Sequence, residues 1–573
     1  MTVSAPTIDL KQRASRRRPA GLSIAASIIG VLVAIPTLGM LAHLLQPSGE
    51  EWHSMVGTVL PDYLLNTLWL LLGVGAGTAF GGVVTAWLIV MCRFPGRRFF
   101  EWALTLPLAV PAYVLAYVYA DFLQFAGPVQ TALRALFGWG AANYWFPDIR
   151  SPGGAIVLFS LALYPYVYLL ARAAFIEQSV CAIDASRTLG AGATESFFRI
   201  ALPLARPAIA AGVALALMET LADFGAVAYL DVPTFTTGIY RAWFSFGDKV
   251  AASQLAAALL LFALALLLME RASRASRRFH PATQRYRALP SFHLSGLRAA
   301  AATLVCTVPL LFGFALPVVI LARFALLSGD AQWGERYLRL TINSITVAAL
   351  VAVFAVALAT IIAYAARGAR STTVRWAARL AGMGYAIPGA VIAVGILAPL
   401  ALFDNAVDGW MRRVFGISTG LLLTGSIAGI VYACVVRFLA AGMQSIEASL
   451  ARITPGIDGA SRTLGAGPLE TLNRIHRPLL QGGLASAALI VFVDTMKELP
   501  ATLMLRPFNF DTLAVQAYNL ARDERLAEAS TAALTIVAVG VVPIVVLTRA
   551  ALRARPGTAA KGPPLEPGAG ALR

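Results

Sequence analysis

Twelve mostly apolar stretches recur along this chain, at 21–45, 62–91, 100–125, 152–176, 205–230, 250–269, 299–326, 337–366, 379–403, 418–443, 479–505 and 526–548. A helix of about 20 apolar residues crosses the hydrocarbon of a bilayer, and each stretch reaches that size. Inside lipid the backbone must satisfy its own hydrogen bonds, so these stretches are read as transmembrane helices. Composition agrees. Hydrophobic residues make up 58%, charged residues 13%, and the mean hydropathy is +0.72, whereas soluble proteins carry about 25% charge. So few charges cannot clothe a soluble surface, and disorder, collagen and coiled coil are excluded on the same figures. The first stretch follows a basic tail and is too long for a signal-peptide core, so it is read as a retained helix.

The chain carries 46 basic and 29 acidic residues, a net charge of +17. With a cytoplasmic start, twelve spans put 33 of the 46 basic residues on the inner side, in the segments Lys11 to Arg18, Arg93 to Arg98, Arg172 to Arg206, Arg271 to Arg298, Arg367 to Arg379, Arg437 to Arg477 and Arg549 to Arg573. The outer loops hold acidic residues such as Glu50, Glu51, Asp62, Asp231, Asp330, Asp404 and Asp408. Missing one span would scramble this alternation. The positive charge is therefore an orientation signal with both termini inside, and no nucleic-acid partner is needed to explain it.

Several chemistries have no support. Cys92, Cys181, Cys306 and Cys434 are far apart and form neither a disulfide framework nor a CxxC site. The five histidines, His43, His53, His280, His293 and His476, include no HExxH pair. A Walker A loop places Gly immediately before its Lys. The four lysines, Lys11, Lys249, Lys497 and Lys561, follow Leu, Asp, Met and Ala. The chain thus has no phosphate-binding loop of that type, no cofactor of its own is expected, and any ATP hydrolysis belongs to a separate subunit.

The chain also repeats itself. Ala185-Ser186-Arg187-Thr188-Leu189-Gly190-Ala191-Gly192 recurs unchanged as Ala460-Ser461-Arg462-Thr463-Leu464-Gly465-Ala466-Gly467, a shift of 275. Ile200 and Pro203 match Ile475 and Pro478 at the same shift, while Asn66-Thr67 matches Asn343-Ser344 and Pro111 matches Pro388 at 277. Each half then holds six spans. Because six is even, both halves enter from one face, giving parallel repeats about an axis along the membrane normal and a pathway at their interface. The fold class expected is all-α and polytopic. Its parts are a basic cytoplasmic tail over 1–20, a first half over 21–270, a basic linker over 271–298, a second half over 299–550 and a cytoplasmic tail over 551–573. Loops drift unless they contact something. An identical cytoplasmic loop in both halves therefore reads as two docking sites for one symmetric partner, although it could also merely record duplication.

Ionisable residues inside spans are costly and mark pathways by default. Glu219 and Asp223 in span five are four apart, as are Asp494 and Glu498 in span eleven, and the two pairs are 275 apart. At that spacing each pair lies on one helix face, the four would face each other if both helices line the central interface, and such hard oxygen ligands suit a hard cation. A structural role stands beside this reading, since Lys497 can neutralise Asp494 or Glu498 locally. Pro111 and Pro388 either kink pore-lining helices or are simply tolerated. Tyr113, Tyr117, Tyr164, Tyr166 and Tyr168 are read as interfacial or packing residues.

These residues resemble a known family, the integral membrane subunits of binding-protein-dependent ABC importers. Its signature loop runs Glu-Ala-Ala, three residues, Gly, nine residues, Ile-x-Leu-Pro. The first copy here reads Asp184-Ala185-Ser186, Gly190, Ile200-Ala201-Leu202-Pro203. The second reads Gly459-Ala460-Ser461, Gly465, Ile475-His476-Arg477-Pro478, with Gly459 in place of the acid and Arg477 in place of the Leu. The resemblance implies that these loops form short helices docking into a groove of the ATP-binding subunit. A glycine at the turn fits, since it supplies the φ > 0 backbone that ends one helix before the next. Glu219-Thr220-Leu221-Ala222-Asp223-Phe224-Gly225 and the segment from Thr234 to Arg241 look like the first half of fused ferric-iron permeases. Met496-Lys497-Glu498-Leu499-Pro500-Ala501-Thr502 and Arg506-Pro507 look like their second half. Fused thiamine and aminophosphonate permeases are similar in layout.

The resemblance implies a multi-pass permease subunit of the bacterial inner membrane, not itself an enzyme. Its expected partners are a homodimeric cytoplasmic ATP-binding subunit, an extracytoplasmic solute-binding protein and membrane lipid, and ferric iron is the expected cargo. Thiamine or another small solute is the alternative cargo. An ion-coupled secondary transporter is the alternative class.

Overall fold

The computed structural model describes residues 20–553 apart from 48, 141–142, 178–192, 276–291, 328–333, 368–370, 452 and 468–469. Among the described residues, eleven helices are long and apolar enough to span a membrane, and one bent helix pair passes the same test when its two arms are taken together, for up to twelve. That pair, Arg97–Ala109 and Ala112–Phe137, meets at 89°. Its break falls at Pro111, which has no N–H to donate and sits at φ −59°, ψ 144° as the cap of the next helix. Pro388 does the same at φ −58°, ψ 143°. Both matched prolines therefore divide helices.

Two spans lie later in the chain than the apolar pattern predicts. Span nine runs Gly389–Phe415, because Pro388 starts it afresh and the preceding Arg-bearing segment forms its own helix, Thr372–Ala381. Span ten runs Ala428–Ala451, since the Gly/Ser/Thr-rich residues 416–427 form a loop pinned by buried Asp404, which accepts hydrogen bonds from the Leu423 and Thr424 amides. Spans five and eleven end at Ala222 and Met496 and are followed by the short helices Gly225–Tyr229 and Pro500–Leu505.

The repeat is visible in equivalent hydrogen bonds. Asn66 donates to the Pro233 carbonyl at 3.0 Å, and its counterpart Asn343 donates to the Asp511 carbonyl at 3.1 Å. Span one, however, packs on the second half, along Thr372–Ala381 and Gly389–Phe415. Tyr432 donates to the Leu32 carbonyl at 2.6 Å. A Cβ added at Gly395 would lie 1.9 Å from the Pro36 carbonyl oxygen, so only glycine permits this approach. Span seven, Gly296–Leu327, reciprocates by packing on the first half, where Tyr119 donates to the Phe312 carbonyl. The halves are thus interlocked by their first spans.

Two contacts tie basic segments to neighbouring parts of the chain. Cys92–Arg93 pairs in parallel with Phe292–His293, a two-residue sheet joining the end of span two to the linker. Arg367 donates to the Ile453 carbonyl at 2.6 Å. Tyr113, Tyr117, Tyr164 and Tyr168 are buried packing residues, and the last two donate to the Leu104 and Glu101 carbonyls at 2.8 Å. Tyr113, also buried, and Tyr166 line a cavity between the halves.

Candidate translocation pathway and coupling loops

In the second loop, the helix Pro455–Thr463 ends at Gly465, whose φ of +83° is the left-handed conformation glycine adopts at least cost. The Ala466 amide bonds back to the Ser461 carbonyl at 3.1 Å, the six-to-one closure of a helix C-terminus. The Ser461 and Thr471 hydroxyls lie 2.6 Å apart, fixing the return strand of the loop. Chain re-entry runs through the π-helical turn Thr471–His476, which includes Ile475, and Pro478 occupies the first turn of Arg477–Met496. Leu464, at the apex, is 86% exposed, and Ala460 beside it is exposed. Of the first loop, Asp184, Ala185, Ser186 and Gly190 lie outside the described residues. Ile200 and Pro203 are described, the former in the π-helical turn Phe197–Ala201 and the latter in the first turn of Leu202–Ala222. Both halves re-enter their fifth span by the same device.

All four intramembrane carboxylates, Glu219, Asp223, Asp494 and Glu498, line one cavity of about 90 Å³, together with Pro111, Tyr166, Arg437 and Lys497. The structure corrects the expectation that each pair shares one helix. Asp223 is extended at ψ 138°, and Glu498 lies past the end of its span. Each instead caps the following short helix. Asp223 accepts from the Ala226 amide at 2.8 Å, while Glu498 accepts from the Ala501 and Thr502 amides at 3.0 Å. A carboxylate there satisfies otherwise unpaired N–H groups and complements the helix dipole.

The remaining interactions are ionic. Lys497 meets Asp494 at 2.9 Å. Arg437 contacts Glu498 at 3.0 Å and Glu219 of the other half at 3.7 Å. The count of basic residues had put Arg437 on the cytoplasmic side, but it lies within Ala428–Ala451 and its side chain is 8% exposed. The missed signal was its position inside the apolar stretch 418–443. Both cations come from the second half; the positions 275 earlier are Ala162 and Ala222. No cluster of three or more metal-ligating side chains forms among the described residues, and the carboxylates are engaged by amides and cations of the chain itself. The Tyr166 and Tyr385 hydroxyls meet across the halves at 3.4 Å.

A larger vestibule of about 760 Å³ lies between the segments 224–245 and 503–522. Phe224 and Tyr240 stack with centroids 3.6 Å apart at 17°, and Tyr240 donates to the Pro500 carbonyl of the other half. Phe224 and Tyr240 line the vestibule, while Asp223 and Gly225 line the smaller cavity, so this stacked pair separates the two.

Residues 75–278 match the family described as the binding-protein-dependent transport system inner membrane component. The Escherichia coli molybdenum transport system permease protein ModB is 32% identical over 203 residues, which cover 34% of this chain and 86% of that protein. The chain belongs to that family. A second relative matches both halves: Fe(3+)-transport system permease protein FbpB 2 of Haemophilus influenzae is 25% identical over 557 residues, 94% of this chain and 100% of that protein. The ferric transport system permease protein FbpB of Actinobacillus pleuropneumoniae is 26% identical over 445 residues, 73% of this chain and 60% of that protein. As a member of this inner-membrane permease family the chain is a polytopic transport subunit and not an enzyme, which sets aside the secondary-transporter reading.

Proposed function

We propose that this chain is the fused, two-half permease of an ATP-driven importer for ferric iron, receiving cargo from an extracytoplasmic binding protein. The observation that carries the cargo assignment is the match to an Fe(3+) permease along 94% of this chain and 100% of the relative, against 34% of this chain for the molybdenum permease. Both termini face the cytoplasm on the positive-inside argument, and the divisions at 20, 270, 298 and 550 stand as the proposed domain boundaries. The loops at Asp184 to Pro203 and Ala460 to Pro478 are the handles for a homodimeric ATP-binding subunit that supplies the ATP hydrolysis. Closure of that dimer would pull the π-helical re-entry turns and hence spans five and eleven, which end at the carboxylate cavity. Glu219, Asp223, Asp494 and Glu498 line the proposed route, with Asp223 and Glu498 holding the short helices and Arg437 bridging the halves until they part.

The test is uptake in proteoliposomes holding this chain, its ATPase and its loaded binding protein. Radiolabelled ferric iron is expected to accumulate only with internal ATP, and excess thiamine or molybdate should not compete. Accumulation of another solute in place of iron would overturn the cargo. Uptake by the chain alone, driven by a proton gradient, would overturn the ATP-driven mechanism.

A further inference from the structure

The vestibule has the wrong charge for a bare trivalent cation. Its lining holds three guanidinium groups, Arg241, Arg506 and Arg522, and a single carboxylate, Asp231. Arg506 is paired with Asp511. Among the described residues neither Arg241 nor Arg522 has a carboxylate within ion-pair distance. Asn509, Asn519 and Ser245 add neutral polar groups to the wall. These arginines are not residues of the duplication: the positions one repeat away from Arg241, Arg506 and Arg522 are Gln516, Asp231 and Gly247. They converge on one cavity from the two halves.

Size divides the route further. The vestibule falls in the range of about 300–1,000 Å³ typical of sites that enclose a whole small-molecule ligand. The carboxylate cavity behind the Phe224–Tyr240 pair is far smaller, about 90 Å³. A ligated complex fits only the first.

We infer that the outer vestibule is an oxyanion-binding site, and that cargo enters it as an anionic, oxyanion-ligated metal complex instead of a bare ion. The metal half of this inference rests on the ferric-iron reading above. Guanidinium forks grip phosphate and carboxylate oxygens in pairs and remain charged throughout the physiological range. A hard trivalent ion retains such hard oxygen ligands, so its complex can present net negative charge to Arg241 and Arg522. The acidic cavity beyond would repel that complex and attract the metal, so the two compartments favour opposite forms of one cargo.

The experiment measures equilibrium binding of radiolabelled pyrophosphate to the full chain in nanodiscs, alone and as its soluble ferric complex. The variants are R241Q/R522Q, R241K/R522K and, as an outer-surface control, R412Q. The ferric complex is expected to bind wild type and R412Q alike and to weaken with salt, with R241Q/R522Q losing at least about tenfold through two missing charge-assisted contacts. If the Gln pair fails to assemble, the Lys pair is read instead: it keeps the charge and loses the fork, and a severalfold loss supports the site while none overturns it. Arginine-dependent binding of pyrophosphate that iron does not strengthen would keep the oxyanion site and remove ferric iron as what brings the anion there. No binding, or binding unchanged in the Gln pair, would overturn the site and leave the iron reading to the uptake assay.

Discussion

Replacing Arg437 with Met should uncouple the two halves at the carboxylate cavity. The side chain is 8% exposed and Glu498 only 1%, at 3.0 Å, whereas Glu219 is 24% exposed at 3.7 Å. At an effective dielectric near 20 the shorter contact is a gross attraction of about 5 kcal/mol. Removing one partner of a buried pair costs about 3–5 kcal/mol, because the other charge is left uncompensated. Removing both partners with similar volume is often nearly neutral. R437M should therefore lower the apparent melting temperature sharply, and R437M/E498Q should recover more than half of that loss. E219Q added to R437M should recover less, because Glu219 is farther away and better solvated. The assay is thermal unfolding in nanodiscs across the double-mutant cycle, with ATPase activity of the assembled transporter followed in parallel. Equal melting of R437M and R437M/E498Q would refute the pairing. Recovery by E219Q equal to that by E498Q would refute the ranking drawn from burial and distance.

Other perturbations test other parts of the account. Gly395→Leu places a side chain where a Cβ alone would meet the Pro36 carbonyl oxygen at 1.9 Å. It should destabilise by more than about 2 kcal/mol through overpacking, read as a lower melting temperature and faster proteolysis of span one. Gly465→Val forces a β-branched residue to φ +83°, a cost of about 1–2 kcal/mol for L-residues. It should weaken co-purification of the ATPase, with G465N milder; equal retention of the ATPase by wild type, Val and Asn variants would remove the turn from the coupling mechanism. Glu219→Gln combined with Asp494→Asn should impair uptake at least about tenfold while leaving ATPase assembly intact, since a charge lost from an intramembrane route changes passage more than docking. Unchanged uptake would return both residues to a structural role.

The parts of the fold legible in the sequence were those that lipid dictates. Apolar runs long enough to cross a bilayer gave the spans, and an eight-residue identity gave their division into halves. The interlock was not legible, because a span facing lipid and a span facing another span are equally apolar; only a close-approach glycine such as Gly395 carries that signal. The shifts of spans nine and ten had a readable cause in Pro388 and in the polar loop before Ala428, but hydropathy averages across such breaks. The four carboxylates line one cavity, but the helix geometry expected of them was wrong. Asp223 and Glu498 follow the ends of their spans, where a capping residue is more useful than a further helical turn. Arg437 escaped because its partners, Glu219 and Glu498, are distant in sequence. The vestibule was illegible for the same reason: Arg241, Arg506 and Arg522 belong to two halves that only the fold brings together.

The central claim is that both copies of the repeated loop face the cytosol and serve one separate motor. Single cysteines at Leu189 and Leu464, in a chain whose four native cysteines are replaced, test it directly with a membrane-impermeant maleimide. Both sites should label in inside-out vesicles and not in intact spheroplasts, and binding of the ATPase subunit should protect both. Labelling of either site from outside the cell, or protection of only one, would contradict the account.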